Sequence, residues 1–334
     1  MELSGIWTEF GLCLGLIAWA GTRLIREADA IASLTGMSRH WIGMTLVATV
    51  TSLPELVTGA TAVLGAQAPA LATGDALGSC VLNLALLAVL EWRSPRGALF
   101  ASAAPAHRVS ALVGAALLAL VALEMAGAVP RVAGGGAWGL ASGVTVLAYA
   151  AVLAVGRRGA AVATAPAGDA SAALPPGALR QALLRAAVSS AVIVAAGVRL
   201  PFVGVALGDA MGWSTSFVGS LFLATATSAP EMVTTWAAWR AGALDMAIGS
   251  LLGSNLFDLL VLAFDDLLWT RGPILHEVPG TQAATALTAA AMSALVALAV
   301  GRRLRPVVGG ASAVGVALAL LYLLHLAMLA RWAT

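Results

Sequence analysis

Glu55, Glu231 and Asp258 each lie inside a long apolar stretch of this chain, in Trp41–Gly65, Ser216–Ala238 and Ala243–Trp269 respectively. An acid at the centre of a membrane-crossing helix costs about 2.5–3.5 kcal/mol on insertion scales. Three of them approach the marginal stability of a whole domain. No Arg occurs in the same stretches to neutralise them. A travelling cation or proton answers that need. Thr51 and Ser52 precede Glu55 by three to four residues, and Thr227 and Ser228 precede Glu231 likewise, so hydroxyls share a helical face with each acid. Ser79 with Asn83, and Ser254 with Asp258, stand at i, i+4 and also share a face. Pro54 and Pro230 donate no backbone hydrogen bond, which frees carbonyls around Val50 and Ala226. Such unpaired backbone survives at membrane depth only where it is buried in protein or lines a cavity. Carboxylate, hydroxyl, amide and carbonyl oxygens make a hard ligand set, suited to Ca2+ or Na+ and poor for Zn2+ or Cu.

The elements that position these groups come in two copies. Trp41–Glu55 and Phe217–Glu231 share Gly, Ala-Thr, Thr-Ser and Pro-Glu in register at an offset of 176 residues. Gly74–Asn83 and Gly249–Asp258 repeat one span later at an offset of 175. Chance similarity of apolar helices would not keep those pairs in that order. The chain is 60% hydrophobic and 10% charged, far below the charge of a soluble domain. Its apolar runs predict about ten spans: Ser4–Ile25, Trp41–Gly65, Ala70–Trp92, Val109–Val129, Trp138–Val155, Ala182–Val198, Ser216–Ala238, Ala243–Trp269, Gln282–Val300 and Ala311–Ala330. The predicted fold is therefore an all-α polytopic membrane protein with two five-helix repeats. An odd number of spans per copy makes the repeats inverted, the plan of secondary transporters. The first repeat covers residues 1–156 with its motif core at 41–92. The second covers 181–334 with its core at 216–269. Residues 157–180, which include Pro175-Pro176, read as a flexible cytoplasmic linker.

Orientation follows from the arginines. Fourteen lie in the connections after odd-numbered spans, and only Arg131, Arg199, Arg271 and Arg331 lie on the other side. The positive-inside rule then puts both termini outside the cell's plasma (inner) membrane. Glu2, where a signal sequence would be basic, predicts that the first span is retained. Cys13 and Cys80 fall within spans and imply no disulfide framework.

With both copies in view, Thr51-Ser52-Leu53-Pro54-Glu55 with Gly78–Asn83, and Thr227-Ser228-Ala229-Pro230-Glu231 with Gly253–Asp258, resemble the alpha-repeats of the sodium/calcium exchanger family. That family belongs to the cation/calcium antiporter superfamily. The resemblance implies four clustered cation sites between the second, third, seventh and eighth spans. Glu55 and Glu231 would be ligands shared by Ca2+ and Na+. Thr51, Ser52, Thr227, Ser228, Ser79 and Ser254 would add hydroxyls, and Ala48 and Ala224 backbone carbonyls. Asn83 and Asp258 would complete the middle site. Spans one and six would slide past the rest to alternate access. The chain departs from the family pattern at Val50 and Ala226, where Gly is usual, and at Cys80, where Asn is usual. Asp75 and Ser250 stand in place of a Gly-Asn pair's Asn, so Asp75 is an added acid near the site.

Na+-coupled Ca2+ exchange is the expected function, with Ca2+/H+ or other cation/H+ exchange and K+-dependent Na+/Ca2+ exchange as alternatives. The expected partners are the transported ions and the bilayer, with no cofactor, nucleic acid or protein partner. An intramembrane protease would need a Gly-x-Gly-Asp, His-Glu-x-x-His or Ser–His setting, and none occurs. A channel would want a ring of acids about an oligomeric axis. Glu9, Glu91, Glu124, Asp209, Asp265 and Asp266 fall near span ends, where headgroups and water are expected to solvate them. Gly11 and Gly15 read as a close-packing pair. His325 reads as a packing or interfacial residue, and His40, His107 and His276 as loop residues.

Overall fold

The computed structural model describes residues 2–35, 52–94, 98–129, 138–162, 177–308 and 310–333. Its principal helices are α1 (Leu3–Thr35), α2 (Leu53–Leu64), α3 (Pro69–Arg93), α4 (Pro105–Met125), α5 (Leu140–Val162), α6 (Ala178–Met211), α7 (Ala229–Arg240), α8 (Leu244–Leu268), α9 (Thr281–Ala299) and α10 (Ala313–Arg331). Seven of these are long and apolar enough to cross a membrane, and Leu53–Leu64, Leu140–Ala154 and Thr215–Thr227 are shorter apolar helices. A small antiparallel hairpin, Pro306–Val308 with Ala311–Ser312, is the one strand pair among the described residues.

The seventh predicted span is not one continuous helix. It enters as Thr215–Phe217, loosens into a π-helix at Val218–Leu223, recovers at Ala224–Thr227 and breaks at Ser228. Ser228 has φ −79°, ψ 3°, and α7 then starts with Pro230 in its first turn. Ser52 (φ −90°, ψ 11°) and Pro54 stand in the same relation to α2. Proline explains both breaks, since it opposes a helical carbonyl without a donor but suits a first turn.

Element bounds echo the sequence repeat. α2 and α7 are each 12 residues long, and α3 and α8 each 25. The long helices α1 and α6 have 33 and 34 residues and pack along one another. Each also crosses the motif helix of the other copy: Gly21 of α1 meets Pro230, and Gly197 of α6 meets Val57 and Thr58. At the centre, α3 packs on the π-helical segment, on α8, on α9 and on α10. Of an apolar membrane-length segment of α3 89% is buried, against 22% for α10, so α3 is the axis and α10 an outer helix.

Four acids expected in solvent are buried instead. Glu91, Glu124, Asp265 and Asp266 are each no more than 3% exposed. Three of them are solvated by backbone. Both carboxylate oxygens of Glu91 accept from Ser312 N at 3.2 Å, at the start of α10. Asp266 accepts from Gly139 N at 2.8 Å and Ile274 N at 2.6 Å, and Glu124 from Leu140 N and Ala141 N, where α5 begins. A helix start offers orphan N–H groups and positive potential, so an anion there is stabilised without water. Asp209 is exposed as expected, and Glu9 is partly exposed and paired with Arg199. His107 lies in the first turn of α4, not a loop, 2.9 Å from Asp245. His276 occupies a 3-10 turn beside Glu124, and His325 is 2% exposed, a packed residue and not an interfacial one. His40 lies outside the described residues. No atom among the described residues would meet a Cβ at Gly11 or Gly15, so that pair is not a packing contact within this part of the chain.

The Glu91 contact is testable. Glu91→Ala should orphan the Ser312 N–H and lower unfolding stability by about 1–3 kcal/mol, read as a drop in Tm. Ca2+ transport per folded molecule should stay near wild type, because Glu91 touches no candidate ion ligand.

Candidate functional site

The two motif breaks come together at the middle of the molecule. Glu55, in the first turn of α2, and Ser228, at the break before α7, are 173 residues apart, yet Ser228 Oγ donates to Glu55 Oε1 at 3.4 Å. Glu55, Glu231, Asp258 and Asn83 are each 2% exposed or less, and Ser52, Ser79, Thr227, Ser228 and Ser254 are buried with them. Thr51 and Ala48 lie outside the described residues.

Thr227 Oγ1 donates to Asp75 Oδ1 at 2.9 Å, with the Leu223 and Ala224 carbonyls at 3.1 and 3.5 Å as its other neighbours. Asp75, 2% exposed, is therefore a further buried carboxylate, held beside the second motif break. It feels the field of Glu55, and Asp258 feels those of both Glu55 and Asp75. The Ala224 carbonyl accepts from Ser228 N at 3.1 Å and lies 3.5 Å from Thr227 Oγ1. Pro230 donates nothing to the Ala226 carbonyl, as its ring requires.

Helices α3 and α8 join through amides. Asn83 Nδ2 donates to Asn255 Oδ1 at 3.0 Å, and Asn255 Nδ2 to the Cys80 carbonyl at 3.3 Å. The Cys80 thiol faces Asp258 Oδ2 at 3.9 Å, and both Cys13 and Cys80 are buried and free. Several buried oxygens of this cluster have no hydrogen-bond partner among the described residues: Ser52 Oγ, Ser79 Oγ, Asn83 Oδ1 and Glu55 Oε2. Burying such groups unpaired costs free energy, so their convergence is poised for something that accepts oxygen lone pairs. Among the described residues no three His, Cys, Asp or Glu side chains are close enough to hold a metal ion by themselves. An ion here would need hydroxyl, amide and carbonyl oxygens as well as acids, which are the groups present.

The close approach has a cause in glycine. A Cβ on Gly74 would stand 3.0 Å from Ser216 O and Ser220 N, and one on Gly219 would stand 2.5 Å from Leu71 O. One on Gly78 would overlap the Ser220 carbonyl. Backbone lies on backbone along α3 and the π-helical segment, which sets Asp75 beside Thr227. Hydroxyl side chains tie the loosened segment: Thr225 Oγ1 bonds the Leu221 carbonyl at 2.6 Å, as Thr227 bonds Leu223.

Sequence reasoning located these acids, hydroxyls and amides but missed Asp265. That residue is fully buried, and its carboxylate lies where a side chain on Gly59 would go. Its place four residues from the end of an apolar run was the signal that pointed the wrong way.

Comparison with known proteins bears on the whole chain. The family profile described as sodium/calcium exchanger protein matches residues 6–156 and 182–331. The CaxA protein of Alkalimonas amylolytica is 26% identical over 306 residues, 90% of this chain and 92% of that one. Sodium/potassium/calcium exchanger 2 of Mus musculus is 39% identical over 72 residues, 21% of this chain and 10% of its own length. Among solved structures, the sodium-calcium exchanger NCX_Mj soaked with Na+ and Sr2+ superposes with a TM-score of 0.63 at 21% identity, over 98% of this chain and 99% of that one. That likeness is one of fold.

Proposed function

The chain belongs to the sodium/calcium exchanger protein family, and on that premise we propose that it exchanges Na+ for Ca2+ by alternating access, through the cluster around Glu55 and Glu231. It is an integral membrane protein and a cation/Ca2+ antiporter, not an enzyme. The observation that carries the reading is the meeting of the two motif copies, with Ser228 donating to Glu55 and Thr227 to Asp75.

Obligatory exchange follows from charge. An empty cluster of several buried carboxylates cannot be carried through a low-dielectric barrier, because the repulsion of uncompensated charges is largest there. A loaded cluster can. One Ca2+ neutralises Glu55 and Glu231 together, and Na+ ions neutralise the same groups in its place, so each cation returns the site for the other. In this reading Ser52, Thr51, Ser79, Ser254, Asn83, Asp258, Ala48 and Ala224 supply the remaining oxygens. The halves are inverted repeats, which matching element bounds at offsets of 175–176 support. The chain sits in the cell's inner membrane with both termini outside. Gly21 and Gly197 give α1 and α6 smooth contacts with the motif helices, as sliding helices require.

Two other coupling ions have an observation behind each. The short matches to sodium/potassium/calcium exchangers favour a K+-dependent variant. Asp75 at the site favours H+ as the driver. Ca2+ uptake into proteoliposomes under an outward H+ gradient, or under an outward Na+ gradient with and without K+, separates the three. Uptake driven by the Na+ gradient alone is expected, and uptake indifferent to Na+ would refute Na+ coupling.

A further inference from the structure

Among the described residues, Asp265 is unlike every other buried acid outside the central cluster. Glu91, Glu124 and Asp266 each hold backbone N–H groups, whereas neither oxygen of Asp265 has a hydrogen-bond partner among the described residues. Its counterpart in the first copy, 175 residues earlier, is Leu90, which is equally buried. The fold therefore does not require an acid there. Seven residues separate it from Asp258, two helical turns along one face and roughly 10 Å of rise. Across the gap stands Gly59, one turn past Glu55 on α2. On α3, Asp75 stands one turn before Ser79, and its field reaches Asp265. Glu55, Asp75 and Asp265 thus mount toward one end of the molecule, where Arg271 Nη2 donates to Gln67 Oε1 at 2.7 Å. In the other copy the two matching places are taken by Leu90 and Ser250, neither of them an acid.

We propose that Asp265 is a second cation stop, a waypoint for the transported metal ion between the central cluster and the Gln67–Arg271 end, with Asp75 and the unpartnered Glu55 Oε2 on its inner side. A hard cation suits it because the free groups nearby are oxygens. The stop makes the two faces of the transporter unequal: ions arriving at the Arg271 face meet a focusing negative charge, and ions at the other face do not.

The proposal rests on the antiport reading, and one experiment separates them. The full chain is reconstituted in vesicles, its Arg271 face is identified by labelling R271C with an impermeant maleimide, and the apparent KM for Ca2+ is measured from each face. Asp265→Asn should raise KM about tenfold at the Arg271 face and leave the other face within about twofold. Gly59→Ala, which pushes only the flexible carboxylate aside, should shift KM at the same face and serves if D265N does not reconstitute. No shift at the Arg271 face, or an equal shift at both, would overturn the waypoint. Wild-type vesicles that move no Ca2+ under any ion gradient would instead overturn the antiport reading.

Discussion

Replacing Glu55 with Gln should lower Ca2+ transport at least about thirtyfold while leaving the protein as stable as before, or slightly more so. The two halves of that expectation have different causes. Gln keeps the shape of Glu and still offers Ser228 Oγ an acceptor, so packing at the break before α7 survives. What disappears is one of the charges a hard cation needs. Removing one member of a buried charge pair costs about 2–5 kcal/mol of binding, or roughly 30- to several-thousandfold. The ion-free protein loses a repulsion at the same time, because Glu55, Asp75 and Asp258 share one buried space and Glu55 Oε2 has no partner among the described residues. Neutralising an uncompensated buried charge is neutral to stabilising. Unfolding measured with and without Ca2+ makes the point twice. Wild type should gain about 2.7 kcal/mol at a hundred times its Kd, and E55Q should gain almost nothing. Transport by E55Q within a few-fold of wild type would remove Glu55 from the ion path.

The site was legible in the sequence wherever a signal was local. An acid in an apolar run, hydroxyls one turn before it and a proline beside it occupy five consecutive residues, and they recur. Seven membrane-crossing helices were legible for the same reason, since each carries its own apolar length. Asp75 stood out because it breaks the pattern of its own motif. The sequence offers no such mark for the π-helix at Val218–Leu223, whose residues would serve equally in an ordinary helix. Its cause is tertiary: a backbone pressed against Gly74 and Gly78 of another element.

The buried acids near span ends failed by distance. Glu91 meets Ser312 across 221 positions and Asp266 meets Gly139 across 127, so nothing beside either acid announces its partner. A rule that assigns end-of-span acids to water is sound until another helix begins at that spot. Asp265 escaped for a further reason, having no partner to announce. Gly11 and Gly15 mark the converse error: spacing that permits close packing does not supply a neighbour.

The packing of α3 on the π-helical segment gives the largest expected loss of stability. Gly78→Ala places a methyl group onto the Ser220 carbonyl, with Ser220 Cα at 2.7 Å and its carbonyl carbon at 2.8 Å. Gly219→Ala does the same from the opposite side, 2.5 Å from the Leu71 carbonyl and 3.2 Å from Asp75 N. Neither obstacle is a side chain that can turn away. The helices would have to separate, and separation pulls Asp75 from Thr227 and exposes hydrogen-bonding groups inside an apolar phase. Overpacking in a core costs about 1–3 kcal/mol where side chains can yield. Backbone against backbone should exceed that and enter the range above 4 kcal/mol that few single substitutions reach. Each variant is expected to lose its monodisperse, Ca2+-stabilised form in detergent. Gly11→Ala and Gly15→Ala are the controls, since their new methyl groups meet no described atom and a helical Ala is favoured over Gly by up to about 1 kcal/mol. These should melt at or slightly above the wild-type temperature. If G78A and G219A melt there too, the two backbones do not touch, and the contact that sets Asp75 beside Thr227 must be sought elsewhere.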